Sequence, residues 1–457
     1  MIACLLLEIS MSWTAEELAT IDLGDKRLNA RCQRTLERLA DNPGKSIPGA
    51  CEGWAETMAA YRLFDNDRVT MEAILKSHLD TSCNRISEEP VVLCIGDTTQ
   101  LDFTTMPDTD GFGPLSKEFQ KGLFLHPILA VTPDRLGLGV INSQIWARDP
   151  DSFGEKRKKR PMDIEHRESF RWIQDYRALC SLAERVPKTK LVYITDREGD
   201  IAHLLAEAQP RSVDILIRAK HNRTLDDDEK LWSHMDASPV LGTITFELPT
   251  APKRKSRTVT QEVRAAIISI EPERYGLDSQ TDIVLSAVYV REVNQPPGIE
   301  PIEWMLITTK SVSSYEQACV IVSWYRCRWE IEVYFHVLKT GCRVETLQLT
   351  TTERLEPAIA LLMIVAWRIL HLTKLGRVCP DLPATVVFTK QECEVAYRYV
   401  KKMPPPRTIL SLREVTRMIA GMGGFLGRKS DGEPGPQTLW TGLQRIFDMI
   451  IGMGLAS

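Results

Sequence analysis

No two of the eleven cysteines stand at CxxC spacing, and their number is odd. This argues against a zinc ribbon and offers no disulfide framework. Most of them lie in apolar periodic segments, where reduced, buried thiols are expected. An excess of positive charge is also missing, since 57 Lys and Arg face 61 Asp and Glu for a net charge of −4. The molecule is therefore not a nucleic-acid binder by overall composition, and any such contact must come from local basic patches. There is no GxxxxGK[ST], so no P-loop and no nucleotide cofactor is expected. The opening MIACLLLEIS lacks a basic n-region and a cleavage site, so it does not read as a secretory signal. Met11 gives a more ordinary start, and the first ten residues are expected to be an upstream extension. The apolar run Ile359–Ala366 is short for a membrane span and Arg368 follows it, which points to a buried or interface helix. No membrane contact and a cytoplasmic location are expected, and no internal repeat is visible.

What is present is the balance of a globular chain: 43% hydrophobic and 26% charged residues over 457 positions, enough for two to four domains. Residues 12–75 read as helices, with Thr14 and Glu17 in capping-box spacing. In GDKRLNARCQRTLERLADNPG the apolar Leu28, Cys32, Leu36 and Leu39 recur at helical spacing. Beside them Arg27, Arg31, Arg34 and Arg38 form a basic stripe. Such a stripe suits phosphate tracking, and equally suits a solvated helix face. From 90 to 220 the pattern changes. VVLCIGD, GLFLHPILAV and LGLGVINSQIWA read as strands, followed by a helix near 165–186, the strand LVYITD, a helix near 199–208 and the strand VDILIRAK. Three strands followed by alternation predict a mixed α/β sheet in the ribonuclease-H-like order. Residues 225–300, with TITFEL, RAAIISI, DIVLSAVYV and the basic cluster Lys253, Arg254, Lys255, Arg257, read as a β-rich insertion. Helical patterning resumes near 313 and dominates after 353, broken at Pro404–Pro406 and 428–436. A second basic run, Lys156–Arg160, falls in a loop and fits phosphate contact or plain solvation.

Asp97 follows the apolar run Val91–Ile95 after one glycine, and Asp196 follows Leu191–Ile194 directly after one threonine. Open α/β sheets collect reactive groups at the carboxyl ends of strands, where two carboxylates can share a metal. An aspartate there can also be a turn or helix cap. The segment YRCRWEIEVYFHVLK places Tyr325, Arg328, Glu332 and Lys339 at offsets of 0, 3, 7 and 14. On one uninterrupted α-helix these lie within about 60° of one another. A carboxylate flanked by two cations and a phenol suits a metal held against a phosphodiester, with Glu332 ligating and Arg328 and Lys339 on phosphate oxygens. An amphipathic surface helix with incidental ion pairs gives the same spacing.

The pattern Y-x2-R-x3-E-x6-K resembles the signature of the bacterial insertion-sequence-four family of DDE transposases. GDKRLNAR near residue 24, GDTT at Asp97, TDREGDI at Asp196, RAKH at 218–221 and the C-terminal GGFLGRKSDGEPGPQTLWTGL resemble family segments in the same order. The resemblance runs over nearly the whole chain from about residue 12. It implies that Asp97, Asp196 and Glu332 are the catalytic, metal-holding trio. It also implies that Tyr325, Arg328, Lys339, Arg218 and Lys220 contact DNA. Trp304, 21 residues before Tyr325, stands where a family member carries a tryptophan that stacks on a base flipped out of the transposon end. A core or edge-strand tryptophan is the alternative. Asp102, Glu198 and Asp200 are nearby acids that the motif register sets aside.

The resemblance further implies cut-and-paste transposition: nicking at the transposon end, hairpin formation by the freed 3′-OH, reopening, and joining to target DNA. One site with two Mg²⁺ ions is expected to serve every step, with Mn²⁺ as a substitute. The implied partners are double-stranded DNA, as transposon ends and target, and a second copy of the chain in the DNA complex. The expected domains are a helical DNA-binding domain at 1–75, a ribonuclease-H-like catalytic domain at 76–345 interrupted at about 225–300, and a helical dimerisation domain at 346–457. A catalytically inactive, inhibitory relative and a nuclease that cuts without joining are the competing readings.

Overall fold

The computed structural model describes residues 12–106, 110–117, 119–150, 163–209, 212–248, 256–277 and 281–455. The first ten residues, the run Lys156–Arg160, and Lys253, Arg254 and Lys255 lie outside the described residues. The chain divides into two compact units. One comprises Met1–Ile86, Thr98–Lys156 and Glu330–Ser457, and the other Ser87–Asp97 and Arg157–Trp329.

In the second unit, β1 (Val91–Gly96), β6 (Lys190–Thr195) and β7 (Asp214–Arg218) run parallel. Their unbroken apolar runs are those of strands covered on both faces, and the residues of β1 and β6 are buried almost throughout. Parallel neighbours need crossovers. The helix α6 (Arg171–Arg185) precedes β6, and α7 (Ala202–Glu207) joins β6 to β7. Trp172, Tyr176 and Leu179 of α6 are at most 1% exposed, and the Tyr176 hydroxyl donates to the Val213 carbonyl at 2.9 Å. Beyond β7 the sheet continues antiparallel through β11 (Glu303–Thr308), β10 (Ile283–Val293), β9 (Arg257–Ile270) and β8 (Val240–Leu248). The β-rich insertion is thus an extension of the same sheet. It carries the short helix α8 (Leu231–Ala237), and α9 (Tyr315–Arg326) packs on its strands. The strand β11 was not legible as such in the sequence. Its six residues mix acid, tryptophan and threonine around a three-residue apolar run.

In the first unit, β4 (Lys121–Val131) pairs antiparallel with β2 (Thr99–Asp102), β3 (Gly113–Pro114) and β5 (Gly137–Trp146). With β1 preceding them, the chain follows the expected order of three main strands and then alternation, the ribonuclease-H-like mixed α/β arrangement. The N-terminal helices are α1 (Trp13–Glu17), α2 (Lys26–Asp41), α3 (Ile47–Ala50), α4 (Trp54–Phe64) and α5 (Met71–Ser87). Asp25 caps α2, accepting from the Arg27 amide at 2.7 Å, and Cys32, Leu36 and Leu39 form its buried stripe. The Thr14–Glu17 capping box does not form. Ser12 is the cap, and Glu17 is instead buried between His78, at 2.6 Å, and Arg85, at 2.6 Å.

The C-terminal part is helical: α10 (Trp329–His336), α11 (Thr352–Val378), α12 (Lys390–Lys401), α13 (Leu412–Met422) and α14 (Pro436–Leu455). Thr389 with Glu392 and Ser411 with Glu414 form capping boxes at α12 and α13. Among the described helices α11 is long and apolar enough to cross a membrane, but 89% of its apolar window is buried inside the protein. It packs on β5, α2, α4, α13 and α14, the position of a core helix. Each of its fully buried Leu and Ile side chains contributes roughly 1.5–3 kcal/mol, so a charge at Ile364 would unseat the helix.

Candidate active site

The register of β1 against β6 pairs Ile95 with Ile194. Asp97 and Asp196 each stand two residues beyond that pair, at the carboxyl ends of neighbouring parallel strands spaced about 4.8 Å apart. Two glycines frame them. A Cβ on Gly96 would fall 2.9 Å from the Tyr193 hydroxyl, and one on Gly199 would fall 2.2 Å from Thr195 Oγ1. Both aspartates are half-buried. Asp196 caps the short 3₁₀ turn Arg197–Gly199, its Oδ1 accepting from the Glu198 amide at 2.8 Å. Arg328 Nη1 donates to Asp97 Oδ2 at 2.8 Å. In the free protein the cation expected on phosphate oxygens rests on this carboxylate.

Around this pair the same unit gathers a phenol and two further side chains. Tyr325 is buried, and burial first, then the Asp196 charge, push its hydroxyl above the ordinary range against the pull of Arg328 and Arg218. Arg218 ends β7. Burial first, then Arg197 and Arg328, lower its pKa, and it donates to the Glu303 carbonyl at 3.1 Å. Trp304, half-buried on β11 opposite Val290, sets its ring edge-on to Tyr325 at 5.5 Å. Lys220 lies in the loop after β7 with its side chain exposed.

The neighbouring acids have structural partners. Glu198 pairs with Arg171 at 2.6 Å. Asp200 is buried against Arg223. Asp102 accepts from Thr104 and, at 3.0 Å, from Gln120, and these bonds hold its carboxyl below the usual range against the opposing effect of burial, which is the largest single influence.

In the first unit Glu332 is exposed on α10, whereas its neighbour Glu330 is buried and paired with Lys374 at 2.8 Å and Arg135 at 3.5 Å. Lys339 Nζ donates to the Gln100 carbonyl and lies 3.2 Å from Glu345 Oε1. Glu345, which the sequence did not single out, also accepts from the Asp102 amide at 3.0 Å. The four signature residues do not share one uninterrupted helix. α9 tightens at its end, with Cys327 and Arg328 amides bonding three residues back, and a π turn spans Val337–Gly341. Each change of winding rotates the residues that follow, so constant 100° spacing does not describe the stripe.

The arginines of α2 are unequal. Arg27, Arg31 and Arg34 are exposed and line a groove with Glu56, Ala59 and Ala60 of α4. Arg34 pairs with Glu56 at 3.0 Å. Arg38 is buried and held by Glu52 at 2.5 Å and Glu56 at 3.2 Å, so it braces α4 rather than facing outward.

Among the described residues the three-ligand cluster is Asp227, Glu229 and His234, at the surface and with Glu229 on His234 at 3.0 Å. The carboxylates of Asp97 and Asp196 are hard oxygen donors without thiol or imidazole beside them in the motif, a donor set that fits Mg²⁺ or Mn²⁺.

Three family profiles match the chain. "Transposase DNA-binding" covers residues 10–69, "Transposase DDE domain" covers 167–368, and "Transposase Tn5 dimerisation domain" covers 364–457. The DDE match includes Asp196 and Glu332; Asp97 precedes it. A cryo-EM structure of a piggyBac transposase synaptic complex with hairpin DNA is 8% identical, over 96% of this chain and 77% of that one, at a TM-score of 0.37.

Proposed function

We propose that this chain, which belongs to the DDE transposases related to the Tn5 transposase, excises its element through a hairpin intermediate and joins the 3′ ends to target DNA at Asp97, Asp196 and Glu332. The observation that carries the reading is the placement of Asp97 and Asp196 on adjacent parallel strand ends, with signature Arg328 on Asp97. Two Mg²⁺ ions, when held by Asp97, Asp196 and Glu332, supply the charge that activates water and stabilises the leaving 3′ oxygen, and Mn²⁺ substitutes.

The side chains do the rest. Arg328 guards Asp97 in the free protein and turns to a phosphate oxygen when DNA arrives, exchanging one charge-assisted hydrogen bond for another. Tyr325, kept neutral by burial, donates a hydrogen bond to the DNA backbone, and Arg218, Lys220 and Lys339 add positive charge along the strand. Trp304 receives a base flipped from the transposon end, which relieves the bend a hairpin demands. Residues 1–75 bind the end through the exposed Arg27, Arg31 and Arg34 of α2, 76–345 perform the chemistry, and 346–457 pair two copies so that each end is served. Nicking and hairpin reopening are hydrolyses, hairpin formation and joining each exchange one phosphodiester for another, and so no nucleotide is consumed. The substrate places the protein on DNA in the bacterial cytosol.

The test is to incubate the purified protein with its own flanking end DNA and Mg²⁺ and resolve products on a denaturing gel. The reading expects a nick, then a hairpinned end. A nick that is never followed by a hairpin would leave a nuclease.

A further inference from the structure

We infer that Asp200 and Arg223 form a positioning clamp for this site, fixing the turn that carries Asp196 to the loop that carries Lys220, directly after Arg218 at the end of β7. The inference rests on the reading that Asp196 serves DNA cleavage.

β6 and β7 are hydrogen-bonded neighbours up to Thr195 and Ile217. Past those residues the β6–β7 ladder ends; Arg218 is still held in the sheet by its pairing with Leu306, but no strand pairing fixes Asp196 relative to Lys220. The side chain of Asp200, four residues beyond Asp196, supplies the missing connection. Its Oδ2 accepts from the amides of Lys220 at 2.7 Å and His221 at 2.9 Å. Its Oδ1 accepts from Arg223 Nη2, which also donates to the Asp200 carbonyl at 3.0 Å. The Asp200 side chain has no exposed surface and that of Arg223 has 4%. The Arg223 guanidinium also lies 5.1 Å over the Tyr275 ring.

Four bonds thus converge on one residue from a single loop. Two come from consecutive backbone amides, so Asp200 sets the path of that loop and not merely a side-chain rotamer. Both ends of the clamp sit within four residues of groups assigned to the reaction. Asp200 touches neither substrate nor metal in this scheme, so it acts through Asp196 and Lys220.

Catalytic groups displaced by about 1 Å can lose on the order of 10²-fold in rate. The test uses the full-length protein and end DNA in single-turnover nicking, comparing wild type with Asp200→Asn, Asp200→Ala and Arg223→Lys. Asp200→Asn retains an acceptor for the amides but loses the charge pairing. Arg223→Lys keeps the charge and loses the planar guanidinium whose Nη2 reaches both the carboxylate and the carbonyl of Asp200. The clamp predicts a saturating rate lowered about 10²-fold in Asp200→Ala, with smaller losses and partial rescue in the two conservative variants. It also predicts an unchanged DNA concentration for half-maximal rate, with each rate taken well below that variant's melting temperature. Conservative variants that nick at the wild-type rate would overturn the clamp. So would a rate loss that follows a lowered melting temperature and disappears on cooling. If wild type itself fails to nick, the cleavage reading fails instead, and with it the ground for the clamp.

Discussion

The guanidinium of Arg328 lies 2.8 Å from the carboxylate of Asp97, joining residues 231 positions apart at the end of β1. Both side chains are largely covered, with 12% and 19% exposure. A charge-assisted bond in such a setting holds the aspartate in one orientation before any DNA arrives.

Replacing Arg328 with Ala is expected to lower the cutting rate by about 10–10²-fold, as the loss of a positioned transition-state cation does. Arg328→Lys recovers only part, because an ammonium cannot reproduce the planar fork. Single-turnover cleavage with pre-bound DNA measures this. Full activity in Arg328→Lys would mean that only the charge matters.

The edge-on contact of Trp304 with Tyr325 ties the tryptophan to the cluster proposed to act on DNA. Trp304→Ala is expected to slow hairpin formation by more than tenfold while the first nick changes less than threefold, reflecting about 1–3 kcal/mol of base stacking. Time courses that separate nicked from hairpinned strands decide it. Equal slowing of both steps would make Trp304 a packing residue.

The α2 arginines should divide by exposure. Arg27→Ala and Arg31→Ala are expected to weaken end binding without changing stability, each reducing the slope of log affinity against log salt by about 1. Arg38→Ala should instead destabilise by about 1–3 kcal/mol, because Glu52 and Glu56 lose their buried partner. Binding isotherms at several salt concentrations, run beside thermal melts, check both halves.

Asp41, near the C-terminal end of α2, has its pKa pushed up to about 7, first by burial and then by Glu37, with Glu392 and Glu52 adding to it against Arg38. The folded state therefore holds this proton at pH values where the unfolded chain, titrating near 3.8, has released it. Its contribution to stability is complete below pH 3.8 and is lost as pH rises toward 7. Asp41→Asn removes that dependence. The melting-temperature gain of the variant over wild type should grow from pH 5 to pH 7 and then level off. A constant difference across that range would refute the shift.

The sequence disclosed the strand ends because apolar runs of four to six residues, stopped by Gly-Asp or Thr-Asp, are local patterns. Glu332 was legible as part of a spaced motif, and the contrast with Glu330 was not, since burial beside Lys374 and Arg135 depends on distant segments. The pairing of Arg328 with Asp97 and of Arg38 with Glu52 and Glu56 was hidden for the same reason: periodicity finds a helix face but not the charge opposite it. The break at Cys327 and Arg328 carries no Pro or Gly, so continuous winding was the natural expectation. Asp200 looked like a spare carboxylate until the loop after β7 closed on it.

Asp97, Asp196 and Glu332 are the residues proposed to cut. Asp97→Asn, Asp196→Asn and Glu332→Gln should be compared with wild type for end binding by mobility shift and for nicking with Mg²⁺ and Mn²⁺. Binding within about threefold of wild type is expected, with cleavage lowered by at least about 10³-fold in each variant, the scale of losing a principal catalytic group. Wild-type cleavage by any one of the three would contradict that assignment.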